Sequence, residues 1–178
     1  CLPVAIVNKT AGPSGSENRT LTAQITVDNK FITNEDDDSG LPYQDDPAAK
    51  TIKLANTFIS MLSPGQLLMA QMEYSKTNAI KWSNLPCGQA CRNGLQFDSM
   101  SREQVDAALA IVAAATGTRQ GEGYEEIRQI IAADDILKTK NNPQYSYSSG
   151  NYFIAILGTP AMTGTWQLQL GGHHTAVN

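Results

Sequence analysis

Hydrophobic and polar positions recur with two different periods along the chain. Between residues 46 and 137, apolar residues return at steps of three and four, which predicts helices that pack through one face. Toward both ends, short apolar runs or strict alternation predict strands. The predicted fold class is therefore α+β, with N- and C-terminal strands in an antiparallel sheet around a central cluster of about four helices.

The predicted helices have recognisable starts and ends. Asp-Pro at 46–47 is typical of a helix start, and Ser63 and Ser101 each stand three residues before a glutamine, which is the spacing of a capping box. Gly117 is placed to end the third helix. A fourth helix is predicted over about 124–137. The apolar stripe of the first helix consists of Ile52, Ala55, Ile59 and Leu62.

Four segments are predicted to be strands. Residues 3–7 form a short β-branched run, and residues 21–27 alternate apolar with polar side chains. Residues 151–157 are apolar on both faces, which suits a central strand, and residues 165–170 alternate again, so the two can form a hairpin. A linker rich in Gly, Pro and Ser joins the first two segments. This organisation predicts an N-terminal strand and arm region at 1–33 and a single α+β domain at 34–178.

Composition narrows the function classes. The 178 residues are 41% hydrophobic, enough for one substantial core. The net charge is −4 and no Lys/Arg cluster occurs, which argues against a nucleic-acid partner. The longest apolar run, residues 107–115, has nine residues. A membrane-spanning helix needs about 20, so no transmembrane segment is predicted.

The three cysteines indicate an oxidising compartment. Cys87 and Cys91 are four residues apart in a loop with Gly and Pro, a spacing that a disulfide can close; two reduced structural thiols are the alternative. A metal knuckle would need a second pair, which the sequence does not have. Cys1 is left over, and we expect an intermolecular disulfide, a free thiol or a modified terminus there.

The N-terminal region also bears on location. A chain that begins with Cys is expected after cleavage of a signal before a lipid-anchored cysteine, as in bacterial lipoproteins, unless the sequence simply starts there. Asn8 and Asn18 stand in glycan acceptor sequons, which matter only in a protein secreted by a eukaryote. All these interpretations predict an extracellular or cell-surface protein.

Several segments between residues 54 and 178 carry a resemblance. They are "MLSPGQLLMAQ", "WSNLPCG", "GLQFDSMSREQVDAALAIV", "GYEEIRQIIAADDIL" and "YFIAILGTPAMTGTWQLQLGGHHTAVN". In this order they are similar to the family catalogued as domain of unknown function 3500. The resemblance implies a secreted or envelope-associated protein without a settled activity. It also implies a chain about twice as long, with further β-structure after the "GHH…N" segment, whereas residues 1–35 match no part of the family pattern.

The two histidines of the chain, His173 and His174, are adjacent in "GGHHTAVN". Imidazole is a strong ligand for zinc and copper, so a metal or acid/base role is one hypothesis. In a continuing strand, neighbours point to opposite faces, and both rings would reach one ion only if the preceding glycines bend the backbone. Further ligands would have to be carboxylates, and Asp134, Asp135 and Glu126 are candidates. Structural histidines near a sheet edge are the alternative.

Calcium is a second candidate metal. Asn34, Asp36, Asp38 and Asp45 occupy positions one, three, five and twelve of a calcium-loop pattern. The glycine, Gly40, falls one position late, and the twelfth residue is Asp instead of Glu. A solvated acidic loop explains the same residues.

Three tyrosines near the last helix, Tyr145, Tyr147 and Tyr152, could offer stacking surfaces to a sugar or a peptide. Tyrosines near the start of a strand also commonly cover a core and point the hydroxyl outward. Neither a serine-nucleophile elbow nor a phosphate-binding loop is present in the sequence.

The leading functional hypothesis from sequence is an extracellular structural protein that self-assembles, as a filament or sheath subunit. A flexible arm and an incomplete sheet would leave an open edge, which a strand from a neighbouring copy can cover. The proposed joint consists of Pro3, Val4, Ala5, Ile6 and Val7. The alternative is a secreted metal-dependent hydrolase or ligand-binding protein that uses His173 and His174.

Overall fold

The computed structural model describes residues 46–140 and 147–178. Within these ranges the α-helices are α1 (Pro47–Ser60), α2 (Pro64–Ala70), α3 (Lys76–Ala79), α4 (Arg102–Thr116) and α5 (Tyr124–Lys138). The strands are β1 (Gln71–Met72), β2 (Leu95–Gln96), β3 (Phe153–Leu157), β4 (Gln167–Gly172) and β5 (Thr175–Val177). The α+β class is therefore confirmed.

The helix starts follow the predicted caps. The side chain of Asp46 accepts a hydrogen bond from the Ala48 N–H at 2.8 Å, and Ser63 and Ser101 form complete capping boxes with the glutamines three residues later. Gly117 ends α4 with a φ of 92°, a conformation that favours glycine. Each cap satisfies backbone N–H or C=O groups that a helix end leaves without a partner.

The most extensive contact between two helices joins α1 to α4. In α1 the buried side chains are Thr51, Ala55 and Phe58, while Ile52 and Ile59 are only half-buried. The buried face is thus turned from the predicted stripe toward Phe58, because the large ring removes more apolar area from water than an aliphatic chain. Its counterpart on α4 consists of Ala108, Ile111 and Val112.

The sheet is built around β3, whose five residues are all buried. β3 pairs antiparallel with β4, which in turn pairs antiparallel with β5, and β2 pairs antiparallel with β3. The predicted hairpin between the last two long strands is present. β1 adds a parallel pairing in which Gln71 faces Ile156, so the sheet is mixed. A two-residue strand directly after a helix carries no periodic signal, which is why the sequence did not predict it.

Some predictions lie outside the described residues. They include the strands at 3–7 and 21–27 and the boundary between the arm (1–33) and the domain (34–178). No helix in the described ranges is long and apolar enough to cross a membrane.

Candidate functional site

The histidines occupy a tight turn. Gly172 of β4 pairs with Thr175 of β5, so His173 and His174 are the two residues of the turn between them; we call this pair the histidine turn. His174 has a φ of 55°, in the left-handed region. The expectation of rings on opposite faces of a strand does not hold, because the strand ends at Gly172. The two ring centroids lie 4.0 Å apart.

The glycines before the turn allow two large side chains to approach. A Cβ atom on Gly172 would lie 2.2 Å from the ring of Tyr152, and one on Gly171 would lie 2.8 Å from Cδ of Arg92. Both distances are shorter than real carbon contacts. Glycine at these positions is therefore required for close packing. The two glycines leave room for the side chains of Arg92 and Tyr152 beside the histidine turn.

Asp134 anchors the first histidine. Its Oδ1 lies 2.7 Å from Nδ1 of His173, and its Oδ2 accepts a hydrogen bond from the hydroxyl of Tyr152 at 2.9 Å. Asp134 is 2% exposed although it lies in the second half of α5, where the helix dipole disfavours a carboxylate. Two strong hydrogen bonds offset this cost. The position of this acid, unexpected for a helix alone, is explained by its partners.

The tyrosine hydroxyl is held in its protonated form. Tyr152 is fully buried, and burial raises the pKa of its phenol, helped by the hydrogen bond and the charge of Asp134. The same hydroxyl lies 3.2 Å from the carbonyl oxygen of His173. A hydroxyl has one hydrogen to donate, and the closer, charged acceptor is the carboxylate.

These contacts fix the tautomer of His173. An ionised carboxylate can only accept hydrogen bonds, so the hydrogen of the neutral imidazole lies on Nδ1. Nε2 is then the proton acceptor of the ring. The side chain of His173 is 14% exposed, against 3% for that of Asp134, so the pair has a buried member and a partly accessible one.

A disulfide loop also contributes to the site. Cys87 and Cys91 are bonded, with their Cα atoms 6.0 Å apart, which confirms the predicted bridge. We call residues 83–91 the cysteine loop. The loop also meets the histidine turn directly, since the N–H of His174 donates to the carbonyl of Asn84 at 2.8 Å.

Arg92 ties the cysteine loop to the sheet. Its Nε donates to the carbonyl of Ser83 at 2.8 Å and one Nη2 hydrogen donates to the carbonyl of Gly172 at 2.8 Å. Further carbonyl acceptors are those of Gly88, at 3.3 Å from Nη1, and of Leu85. Arg92 is 3% exposed, and desolvation lowers the pKa of its guanidinium, which remains a cation at neutral pH.

A cavity of about 160 Å³ lies between these parts. Its lining residues are Pro86, Gly88, Arg92, Asp134, Tyr147, Ser148, Asn151 and His173. The ring of Tyr147 lies 4.6 Å from that of His173, centroid to centroid. Pockets for drug-sized ligands have about 300–1,000 Å³, so this cavity suits a smaller molecule.

A family match covers the part of the chain that the structure describes. The family described as "Protein of unknown function (DUF3500)" matches residues 44–178. The chain belongs to this family. Neither the curated proteins nor the solved structures yield a match. The DUF3500 match spans the cysteine loop, α5 and the histidine turn, so all the contacts described above lie within the family segment.

Other candidate residues in the DUF3500 segment have separate roles. The carboxylate of Asp135 accepts the N–H of Ser149 at 2.8 Å, and that of Glu126 accepts the N–H of Gly123 at 3.2 Å at the start of α5. In the parts of the chain that the structure describes, no three His, Cys, Asp or Glu side chains are grouped to hold a metal ion.

The remaining predicted sites cannot be placed, because they lie outside the described residues. They are the calcium candidates Asp36, Asp38 and Asp45, the sequons at Asn8 and Asn18, the assembly strand at 3–7, Cys1, and Tyr145.

Sequence reasoning missed Arg92 and the role of the Tyr152 hydroxyl. Arg92 follows the second cysteine and precedes a run of buried residues, Asn93 to Leu95. An arginine at the edge of a buried run is a weak signal of a buried cation. Its partners are backbone carbonyls, which no residue pattern can reveal.

Proposed function

We propose that the protein binds a small ligand in the cavity beside His173 and that His173 accepts a proton there, as in a hydrolase or a proton-coupled binding protein. The observation that carries this proposal is the 2.7 Å contact between Nδ1 of His173 and Oδ1 of Asp134. A buried carboxylate that holds an imidazole by Nδ1 is the arrangement that general-base histidines use.

The carboxylate supports proton transfer in two ways. It fixes the ring so that Nε2 is the acceptor, and it stabilises the imidazolium that forms when the proton arrives. Asp134 is itself held by Tyr152, whose raised pKa keeps the phenol a donor. The pair is thus oriented before any ligand enters, which reduces the cost of ordering it during binding.

Adjacent carboxylates on α5 offer a matched test. Asp134→Asn keeps the shape of the side chain but removes the negative charge beside Nδ1 of His173. Asp135→Asn removes the same charge from a side chain that accepts the N–H of Ser149. Small-molecule binding is followed through the imidazole NMR signals, of which the chain has two sets. Ligands that shift the His173 signals are then assayed for binding and hydrolysis.

The expected outcome separates the two variants. Asp134→Asn should lower ligand affinity at least about tenfold, and any hydrolytic rate by about 10²–10⁴. Asp135→Asn should change either quantity by no more than about twofold. Equal effects of both substitutions would show that Asp134 contributes only to folding, and the proposal would then be abandoned.

A metal-dependent version has its own support. The two rings of the histidine turn lie 4.0 Å apart, close enough to share one ion, and Asp134 would be the carboxylate partner of a ligating His173. Water or substrate would have to complete the coordination of zinc or copper. Metal analysis of the purified protein and of its His174→Ala variant tests this version. Stoichiometric metal that is lost in the variant would support it, whereas an identical metal content would refute it.

Self-assembly remains a second proposal. Within the described ranges the outer edge of β5 carries no strand, and an added strand would satisfy its free backbone groups. The candidate strand is residues 3–7 of a neighbouring copy. Size-exclusion chromatography of the chain with and without residues 1–12 tests this idea: loss of assembly on truncation is expected, and assembly that survives truncation contradicts it.

An extracellular or cell-surface location is also proposed. The disulfide supports it, since such bonds persist mainly in oxidising compartments. An intact mass of the natural protein would detect a lipid or an intermolecular disulfide at Cys1 and glycans at Asn8 or Asn18. A mass equal to that of the unmodified chain, with only the Cys87–Cys91 bond, would remove those modifications from the proposal.

A further inference from the structure

We propose that the ligand of the cavity carries an oxyanion, a carboxylate or a phosphate, which Arg92 and Ser148 hold beside His173. This inference rests on the proposed function and names the chemical class of its ligand. It derives from the hydrogen-bond donors and charges that remain unmatched around the cavity.

Arg92 is a buried cation without a carboxylate partner. It is 3% exposed, and among the described residues no carboxylate lies within 4.0 Å of its guanidinium. Its acceptors are neutral carbonyl groups, and the ring of Phe153 lies 5.9 Å from its Cζ, so none of these partners carries a full negative charge. Buried charges are ordinarily paired or bound to a counterion. An anion in the adjoining cavity would supply the missing charge.

One N–H group of Arg92 also remains unused. The guanidinium has five hydrogens to donate, and four are used in the bonds to Ser83, Leu85, Gly88 and Gly172. The fifth belongs to Nη1. Arg92 lines the cavity, and a ligand that accepts this hydrogen would break none of the bonds that hold the cysteine loop.

Ser148 supplies a second unmatched donor. It is 5% exposed and lines the same cavity. Its Oγ accepts hydrogen bonds from the N–H of Gly150 at 3.1 Å and from Nζ of Lys138 at 3.5 Å. No acceptor lies within hydrogen-bond distance of its hydroxyl hydrogen among the described residues. A buried hydroxyl that only accepts lacks one bond, and an oxyanion is an acceptor that would complete it.

The acid at the cavity does not cancel this preference. Both oxygens of Asp134 are engaged, one by His173 and one by Tyr152. Near Ser148, the negative charge of Asp135, which accepts the N–H of Ser149, is accompanied by the positive charge of Lys138. The charge of Arg92 therefore remains available to an oxyanion.

The test compares anions with a neutral molecule of the same shape. Oxidised full-length protein is titrated with sodium acetate, with inorganic phosphate and with acetamide at constant ionic strength, and the imidazole NMR signals of His173 are followed. Acetate or phosphate should shift them in a saturable way, with acetamide at least about tenfold weaker, because hydrogen bonds to charged groups are the stronger ones. The stronger of the two anions identifies the source of the oxyanion.

Variants test the two donors. Ser148→Ala should weaken anion binding several-fold, whereas Ser149→Ala, one residue on, should not. Arg92→Met should abolish it in protein shown to be folded by its circular dichroism, and Arg102→Met, which removes the same charge from an exposed site on α4, is the control. Should Arg92→Met fail to fold, the acetate and acetamide comparison decides alone.

Two outcomes would overturn the inference. One is equal binding of acetate and acetamide, which would leave a ligand site without an oxyanion preference. The other is the absence of any saturable shift with either anion up to 0.2 M. The proposed function is judged separately by the Asp134→Asn and Asp135→Asn comparison, which uses whatever ligand shifts His173.

Discussion

Two buried regions of the protein are held together by different forces. In the contact of α1 with α4, the fully buried side chains are apolar: Ala55, Phe58, Ala108, Ile111 and Val112 are each 0% exposed. At the other region, around the cysteine loop and the histidine turn, the buried side chains include Arg92, Asp134 and Tyr152. There the contacts are hydrogen bonds between specific donors and acceptors, and Arg92 and Asp134 each make more than one.

The difference has consequences for sequence tolerance. Apolar packing depends on volume and shape, so one aliphatic side chain can often replace another. A buried polar network depends on every member, since a removed donor leaves its acceptors unsatisfied in a medium of low dielectric. We therefore expect the helix contact to determine stability and the polar region to determine both stability and chemistry.

The largest loss of stability is expected from a substitution in the contact between α1 and α4. Phe58→Ala removes a fully buried ring and should lower the free energy of unfolding by about 4 kcal/mol. Urea denaturation measures this loss, and Ile111→Leu, which conserves volume, should cost less than about 1.5 kcal/mol. The imidazole NMR signals of folded Phe58→Ala should be unchanged. A change in those signals would show that the two regions are not independent.

Arg92→Met should give the next largest loss, about 3 kcal/mol, because the carbonyls of Ser83 and Gly172 lose their donor in a buried setting. Some of the loop carbonyls can turn to water, since Leu85 is 64% exposed, which limits the cost. Arg102→Met should stay within about 0.5 kcal/mol of the parent protein. If both variants are equally stable, Arg92 does not hold the loop.

The same contrast explains what could be predicted from sequence. The caps at Asp46, Ser63 and Ser101 and the end at Gly117 are local signals, and each was found where the pattern indicated. The disulfide was predictable because its cysteines are four residues apart.

The site was only partly predictable. Asp134 was named as a candidate carboxylate ligand, but its partner Tyr152 lies 18 residues away and Arg92 reaches Gly172 across 80. Contacts of that range depend on how the sheet brings β3 and β4 beside the cysteine loop. The sequence left open whether a strand continues through His173 or the backbone bends at the glycines, and only the pairing of Gly172 with Thr175 reveals where β4 ends.

Removal of the disulfide should lower the free energy of unfolding less than Arg92→Met does. It should also weaken anion binding in the cavity. Closing so short a loop restricts the unfolded chain by about 2 kcal/mol. Cys87→Ser with Cys91→Ser should show this loss in urea denaturation, together with weaker anion binding, because Gly88 and Pro86 line the cavity. The parent protein under reducing conditions serves as the matched comparison. Binding that is identical in both redox states would show that the loop does not shape the cavity.

The smallest effect is expected at alkaline pH. The pKa of Tyr152 is raised by burial, so above about pH 10 the unfolded chain loses a phenol proton that the folded chain keeps. This contribution to stability is complete below that pH and declines above it by up to about 1.4 kcal/mol per pH unit. Tyr152→Phe should flatten the decline of the unfolding free energy between pH 9 and 11, measured against its own value at pH 8.

Tyr124→Phe is the control for this pH dependence. Burial also raises the pKa of the Tyr124 phenol, but Tyr124 is only half-buried, so the flattening should be weaker. A decline as steep in Tyr152→Phe as in the parent protein would mean that the phenol of Tyr152 meets water in the folded state, and the hydrogen bond that orients Asp134 would lose its support.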